Sequence, residues 1–371
     1  MNANAARLRS GTAAGLIGDG GAGYLTVLRQ GLLGLVPMIV IIWELTIVFG
    51  GQHHIAVDFH DAYYAAGYRL LHGGHPYTWT QREIYGGVAF VYPAFSALFF
   101  APFALIAVGV AGVVVTLVWI ALTPLTLWVL GVRDWRIYGI ALLWMPVFDA
   151  WQTGNETILL VFITAWVWRY RGNPVVAGAL TAVAISLKPV MWPLALWLLA
   201  TRRWHASGYG LAAGLFINFV SWSVVGFDKI GVYLRDTGLD TRHAWRAGYG
   251  IAAAVGHLGF SRSFGEVMTL LVSAALLAAI VYVAFVKHRE RQALTLTVVL
   301  MLATSPLVWS HYFALLLIPM ALERPRLNWL WALPVLMWDC PPSVHVHSWQ
   351  VGVAWLLAGT MFAVLVRTAT E

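Results

Sequence analysis

Long apolar runs, almost free of charge, dominate this chain. Only 11% of its 371 residues are Asp, Glu, Lys or Arg and 60% are hydrophobic, whereas a soluble domain carries roughly 25% charged residues. A globule of this size with so little polar surface cannot be covered by water, so its solvent must be largely lipid. Within lipid every backbone group has to be hydrogen-bonded internally, which makes the runs helical. The first run extends from about Gly31 to Phe49. Others follow near 91–109, 110–131, 137–150, 155–168, 175–200, 207–225, 265–286, 293–304, 311–322, 328–339 and 349–366, with a weaker stretch at 249–260. The expectation is an all-α polytopic membrane protein with about 12 membrane segments, several of them short or broken. Residues 1–30, rich in Ala and Gly, are expected to be a cytoplasmic lead-in, and 31–371 a single membrane domain.

The net charge of +7 does not signal nucleic acid. The cations cluster where apolar runs end: Arg133/Arg136, Arg169/Arg171, Arg202/Arg203, Lys287/Arg289/Arg291, Arg324/Arg326 and Arg367. That is the positive-inside pattern, which places most of these residues in the cytoplasm. Strict alternation nevertheless puts Arg133 outside if 91–109 and 110–131 are separate crossings. One segment between 91 and 200 is therefore expected to re-enter or break, with Lys188-Pro189 a natural place. One cysteine, Cys340, excludes an intramolecular disulfide and a cysteine-based metal site. The histidines at 53, 54, 60, 72, 75, 345 and 347 match no established zinc spacing, and no metal or other cofactor is expected.

Polar chemistry collects in the loops opposite the basic ones: 51–90, 149–156, 226–248, 304–311 and 339–348. Residues 58–72 place Phe59, Ala62, Ala66 and Leu70 on one stripe, with Tyr63, Arg69 and His72 elsewhere. This reads as an interfacial amphipathic helix, ended by Gly73-Gly74-His75-Pro76. Asp58 stands at its start. A carboxylate there suits a general base taking a proton from an attacking hydroxyl, and equally suits an N-cap, with Asp61 in the first helical turn. Lys188 lies inside an apolar run beside Pro189, where a cation costs at least ~2.5–3.5 kcal/mol. It either faces a cavity or ligand such as a lipid-linked phosphate, or snorkels, or pairs with a carboxylate, Glu44 being a candidate. His311, in a short outer loop behind Ser305-Pro306, has an imidazole suited to a phosphate or sugar oxygen. Gln152, Asn155 and Glu156 form a polar turn able either to bind sugar hydroxyls or to cap a helix.

These stretches, in order, resemble glycosyltransferase family 87 of the C-type superfamily of membrane transferases. The matching blocks are Asp58-Phe59-His60-Asp61-Ala62-Tyr63-Tyr64-Ala65-Ala66-Gly67, Leu70-Leu71-His72-Gly73-Gly74-His75-Pro76-Tyr77, Val91-Tyr92-Pro93-Ala94-Phe95-Ser96-Ala97-Leu98, Gln152-Thr153-Gly154-Asn155, Lys188-Pro189 and Ser305-Pro306 through Trp309 and His311. Two positions depart from the family pattern: Ala94, where a second proline is common, and Tyr312, where a second histidine is. The resemblance implies transfer from a polyprenyl-phosphate sugar to a glycolipid acceptor at the outer face of the plasma membrane. Mannose in α-1,2 linkage to a phosphatidylinositol mannoside is the first expectation and arabinofuranose the alternative. Asp58 becomes the base of an inverting transfer, with Lys188 and His311 near the donor phosphate and Arg69, Arg82 or Arg246 in reserve. Gln152 and Asn155 line the sugar pocket, joined as sugar or acceptor contacts by His60, Asp61, Tyr63, Tyr92 and Glu156. A lipid or solute transporter is the rival reading, since it too explains an intramembrane lysine and broken helices.

Overall fold

In the computed structural model the described residues are 36, 39, 40, 42, 43, 55–77, 79–340 and 346–368. Most of the first apolar run, residues 1–30, Glu44, His53, His54 and His345 lie outside them. All regular structure among the described residues is helical. The helices are α1 (Ala65–Leu71), α2 (Gln81–Tyr85), α3 (Ala94–Phe100), α4 (Val108–Val129), α5 (Trp135–Leu142), α6 (Met145–Thr153), α7 (Thr157–Arg169) and α8 (Pro174–Leu187). They continue with α9 (Pro193–Ala200), α10 (Trp204–Val225), α11 (Ile230–His243), α12 (Ile251–His257), α13 (Arg262–Phe285), α14 (Glu290–Thr304), α15 (Leu317–Glu323) and α16 (Ser348–Thr368). Four of them, α4, α10, α13 and α16, are long and apolar enough to cross a bilayer. Shorter apolar helical segments occur at Ala94–Leu105, Thr157–Arg169, Pro174–Leu187, Pro189–Ala200, Ser310–Glu323 and Trp329–Trp338. α10 and α13 leave large side chains such as Leu211, Phe216, Phe219 and Leu270 exposed, as lipid-facing helices do.

Several expected segments are interrupted, each for an identifiable reason. The run 175–200 breaks where foreseen: Lys188 is extended (φ −144°, ψ 111°), because a residue before proline is pushed out of the helical region. The Leu187 carbonyl beside this break is satisfied by Ser96 Oγ at 2.5 Å. The run 137–150 divides at Leu143-Trp144 into α5 and α6, with Pro146 near the start of the second. The run 328–339 is a 3-10 helix, Trp329–Asp339, with Pro334 inside it.

The run 91–109 is not one continuous helix of spanning length. It folds as α3 followed by a 3-10 turn, Ala101–Leu105. At one end Tyr92 stacks on Tyr63 with ring centroids 4.7 Å apart. At the other the Ile106 carbonyl accepts a 2.9 Å bond from the Tyr64 hydroxyl. Both ends thus lie against the same helical stretch, Phe59–Leu71. The basic loops then share one end of the molecule. Glu290 binds Arg203 at 2.8 Å and Arg171 at 3.3 Å, and Asp134 accepts from the Leu327 amide.

The stretch expected as an interfacial helix begins as a π-helical turn, Phe59–Tyr64, before α1. The wider turn shifts the register, so Tyr63 joins Phe59, Ala62 and Ala66 on the buried face. α8 and α10 approach backbone to backbone at Gly178 and Gly210, where a Cβ on Gly178 would stand 2.7 Å from the Gly210 nitrogen. Small residues at such crossings are the usual device for close helix approach in lipid.

Gly154 makes the approach that matters most for the site. It ends α6 in the left-handed region (φ 70°), and a Cβ there would lie 2.7 Å from the Cβ atoms of both Ala56 and Phe59. Gly154→Ala should lower stability by at least about 1–2 kcal/mol from backbone strain alone, with a further clash against the Asp58 segment. A lowered thermal midpoint in detergent, with loss of whatever activity depends on Asp58, is the expected outcome.

Candidate active site

The contact at Gly154 brings two loops far apart in sequence into register. The Ala56 amide donates to the Gln152 carbonyl at 2.8 Å, which fixes the start of the π turn against the end of α6. Asp58 then stands opposite Asn155, whose Nδ2 donates to Asp58 Oδ2 at 3.1 Å. Asp58 has helical backbone angles and its side chain makes no cap bond. Its carboxylate is therefore turned away from the helix end and towards the polar turn.

The orientation of the Asn155 amide is fixed from its other side. Asn155 Oδ1 accepts from Thr157 Oγ1 at 2.8 Å, from the Thr157 amide at 3.2 Å and from Lys188 Nζ at 3.3 Å. With three donors on the oxygen, the NH2 group must face Asp58. Lys188, buried as the sequence implied, is not a bare charge. It pairs with the fully buried Glu156 at 2.9 Å and lies 4.3 Å from the Tyr312 ring centre and 5.4 Å from that of Tyr92. Glu156 is accordingly the counter-ion of Lys188, and the suggested partner Glu44 is outside the described residues. Tyr312, at a position that departs from the family pattern, supplies a π face to the same ammonium.

On the third side stands His311, which is buried, with Nδ1 3.1 Å from Asp149 Oδ2. Ser310 Oγ donates to the same oxygen. A carboxylate on Nδ1 places the proton there and leaves Nε2 for a ligand, and Nε2 has no hydrogen-bond partner among the described residues. The Tyr63 hydroxyl is likewise buried without a partner.

Electrostatics set the character of Asp58. Burial raises its carboxyl above the ordinary value of 3.8, the neighbouring charge of His311 and the Asn155 hydrogen bond pull it partly back, and Asp149 adds to the rise. A half-buried carboxylate raised in this way is a better base than an exposed one, provided it is ionised.

The remaining expected residues divide. Tyr92 belongs to the cluster, its carbonyl held by the Tyr77 hydroxyl at 2.8 Å. Gln152 takes part through its backbone. His60 packs on α4, where a Cβ at Gly112 would come within 2.2 Å of its Nε2, and Asp61 is exposed. Arg69 lies over Trp79 at 3.8 Å and Arg82 is exposed on α2, so neither joins the group around Lys188. Arg246 sits on a turn packed against residues 307–309, where the Tyr249 amide donates to the Val308 carbonyl at 2.6 Å.

Two carboxylates escaped the sequence reading. Asp149 was visible only as the edge of a polar turn, and its pairing with a residue 162 positions away leaves no local signal. Asp240, on α11, has its charge felt at the hydroxyls of Tyr92 and Tyr312. Burial pushes its carboxyl up to about 6, against a lowering influence from His243. Thr237, one turn earlier, donates to the Val91 carbonyl at 3.3 Å and so holds that helix over the site. Among the described residues no group of three or more His, Cys, Asp or Glu side chains is disposed to hold a metal.

Residues 90–319 match the model of glycosyltransferase family 87. The chain belongs to that family. Two polyprenol-phosphate-mannose-dependent α-(1-2)-phosphatidylinositol pentamannoside mannosyltransferases are similar to this family member. That of Mycobacterium tuberculosis (strain CDC 1551 / Oshkosh) is 26% identical over 342 residues, covering 81% of this chain and 73% of its own. That of Mycolicibacterium smegmatis (strain ATCC 700084 / mc(2)155) is 25% identical over 377 residues, covering 87% and 83%. No solved structure matches the chain. The family match covers Tyr92, Asp149, Asn155, Lys188 and His311 but begins after Asp58, whose place in the site rests on the geometry above.

Asn155→Ala should move the acid limb of the pH–rate profile upwards. The lost hydrogen bond stabilises the carboxylate, so without it the Asp58 pKa rises further and the base is protonated over a wider range. Steady-state rates measured from pH 5 to 8 check this, and an unmoved limb would separate Asn155 from the ionisation of Asp58.

Proposed function

We propose that this family 87 protein is an inverting mannosyltransferase. It moves mannose from a polyprenyl-phosphate donor to a phosphatidylinositol mannoside in α-1,2 linkage, at the outer face of the plasma membrane. The observation that carries the reading is Asp58: a partly exposed, burial-raised carboxylate oriented by Asn155 and facing an imidazole with a free Nε2. The names of the two similar enzymes support the donor, linkage and acceptor.

Asp58 takes the proton of the acceptor hydroxyl as its oxygen attacks the anomeric carbon. The bond from that carbon to the phosphate oxygen breaks, and the electron pair leaves with polyprenyl phosphate. His311, held through Nδ1 by Asp149, presents Nε2 to the phosphate oxygen on which charge develops. Lys188, neutralised by Glu156, contributes chiefly by fixing Asn155. Inversion fits the supply of carboxylates. Retention needs a second carboxylate about 5–5.5 Å from the first to act as nucleophile, whereas Asp149 and Glu156 are committed to His311 and Lys188, Asp61 is exposed, and Asp240, unlike Asp149, is not among the charges that act on Asp58. The same pairing removes the unpaired lysine that favoured a transporter. No metal takes part in this scheme.

With Ala94–Leu105 non-crossing and the run broken at Lys188 making two crossings, Pro174–Leu187 and Pro189–Ala200, the chain traverses the bilayer twelve times if the run at 31–49 is the first crossing. Every basic loop then falls on the cytoplasmic side and Asp58, Asn155, Lys188 and His311 outside.

The test is direct. Purified protein given polyprenyl-phosphate-mannose and a phosphatidylinositol mannoside should release polyprenyl phosphate and a glycolipid one mannose larger, at a rate unchanged by EDTA. Asp58→Asn should lose on the order of 10²–10⁴ of that rate. Its folding should not suffer. A carboxyl with a raised pKa in the folded state stabilises the fold only while protonated, and loses that contribution as pH rises. A neutral Asn therefore leaves the thermal midpoint at pH 7 unchanged or higher. Near-normal turnover by Asp58→Asn would remove Asp58 from the mechanism.

A further inference from the structure

A second polar feature lies at the opposite end of the molecule and has no part in the chemistry above. α4 begins beside the Tyr64–Ile106 contact near Asp58 and runs 22 residues, about 33 Å, to Val129. α7 begins at Thr157, next to Glu156, and runs 13 residues, about 20 Å, to Arg169. Where the two helices end, a pocket opens between them. Its walls include Trp128, Arg133, Trp166, Trp168, Arg169 and Arg171, and no Asp or Glu lines it.

The three guanidiniums are not equivalent. Arg171 is bound to Glu290 at 3.3 Å, donates to the Trp168 carbonyl at 2.9 Å and lies over the Trp168 ring. Arg133 makes two long contacts, 3.4 and 3.3 Å, with the Trp128 and Val132 carbonyls. Arg169 is exposed and has no carboxylate within ion-pairing distance among the described residues. The carbonyls at two helix C-termini would repel an anion, but Arg133 and Arg171 already donate to them. What remains directed at the pocket is positive charge.

The walls also fit a lipid. Trp128 at the rim is 58% exposed, and Trp166 stacks on exposed Tyr170 with centroids 5.1 Å apart. Indole and phenol rings at the end of an apolar helix mark headgroup depth, and Val129 and Leu130 give the pocket an apolar wall. Basic pockets between membrane helices are suited to anionic headgroups.

We propose that this pocket, built by the C-terminal ends of α4 and α7 with Arg133 and Arg169, binds the phosphate headgroup of an anionic phospholipid. The site is separate from the transfer site and does not depend on the assignment of the reaction.

The experiment compares the wild-type chain with Arg169→Gln and with Arg133→Gln/Arg169→Gln in nanodiscs of phosphatidylcholine containing increasing phosphatidylglycerol. Retained lipid is read by native mass spectrometry and the thermal midpoint in parallel. The wild type should retain phosphatidylglycerol in preference to phosphatidylcholine and gain thermal stability with it. Arg169→Gln should weaken that retention about five-fold and the double variant about 25-fold. In pure phosphatidylcholine all three should melt alike, which shows the variants folded; should the double variant melt early, Arg169→Gln alone decides. Equal retention by wild type and Arg169→Gln would overturn the proposal. So would stabilisation of the detergent-solubilised wild type by inorganic phosphate to the same extent, which would mark the pocket as a site for free phosphate.

Discussion

The packing of Gly154 against Ala56 and Phe59 is the constraint on which the rest of the site depends. Only a residue without a Cβ fits, because the position combines a left-handed backbone with contacts of 2.7 Å. The consequence is geometric. The segment carrying Asp58 is pressed onto the end of α6, the Ala56 amide finds the Gln152 carbonyl, and the next polar side chain, Asn155, meets the carboxylate. The carboxylate proposed as the base is thereby held by a turn nearly 100 residues further along the chain. Such second-layer support is what distinguishes a preorganised base from a surface acid.

Around that contact the buried charges are compensated in pairs. Lys188 has Glu156, and His311 has Asp149. An unpaired charge in an apolar setting costs several kcal/mol, and beside these pairs the Nε2 of His311 and the Tyr63 hydroxyl are buried without a hydrogen-bond partner among the described residues. The aromatic rings that close the cluster, Tyr92 and Tyr312, lie over the same lysine.

The legible part of this site was chemical and the illegible part spatial. Asp58, Lys188 and His311 stood out because each is polar beside apolar sequence, Asn155 because it lies in a polar turn between two apolar runs, and the break at Lys188-Pro189 followed from proline sterics alone. The partners did not stand out. Nothing near Glu156 links it to a lysine 32 residues later, and Glu44 was as good a candidate on composition. Asp149 and Asp240 carry no local mark, since their roles depend on neighbours brought in by other helices. The helical class and the position of most runs followed from hydropathy. The folding back of Ala94–Leu105 against Phe59–Leu71 did not, because a segment that turns back needs the same apolar residues as one that continues. The π turn at Phe59–Tyr64, which moves Tyr63 to the buried face, has no compositional signature either.

The account stands or falls on Asp58 acting as a base whose burial raises its pKa. The most direct measurement is the pH dependence of kcat/KM for mannosyl transfer by the unmodified protein. The account predicts an acid limb from a single ionisation clearly above the ordinary carboxylate value of 3.8, below which transfer is lost as Asp58 takes up a proton. A limb at that ordinary value, or a rate indifferent to pH across the acid range, would contradict it.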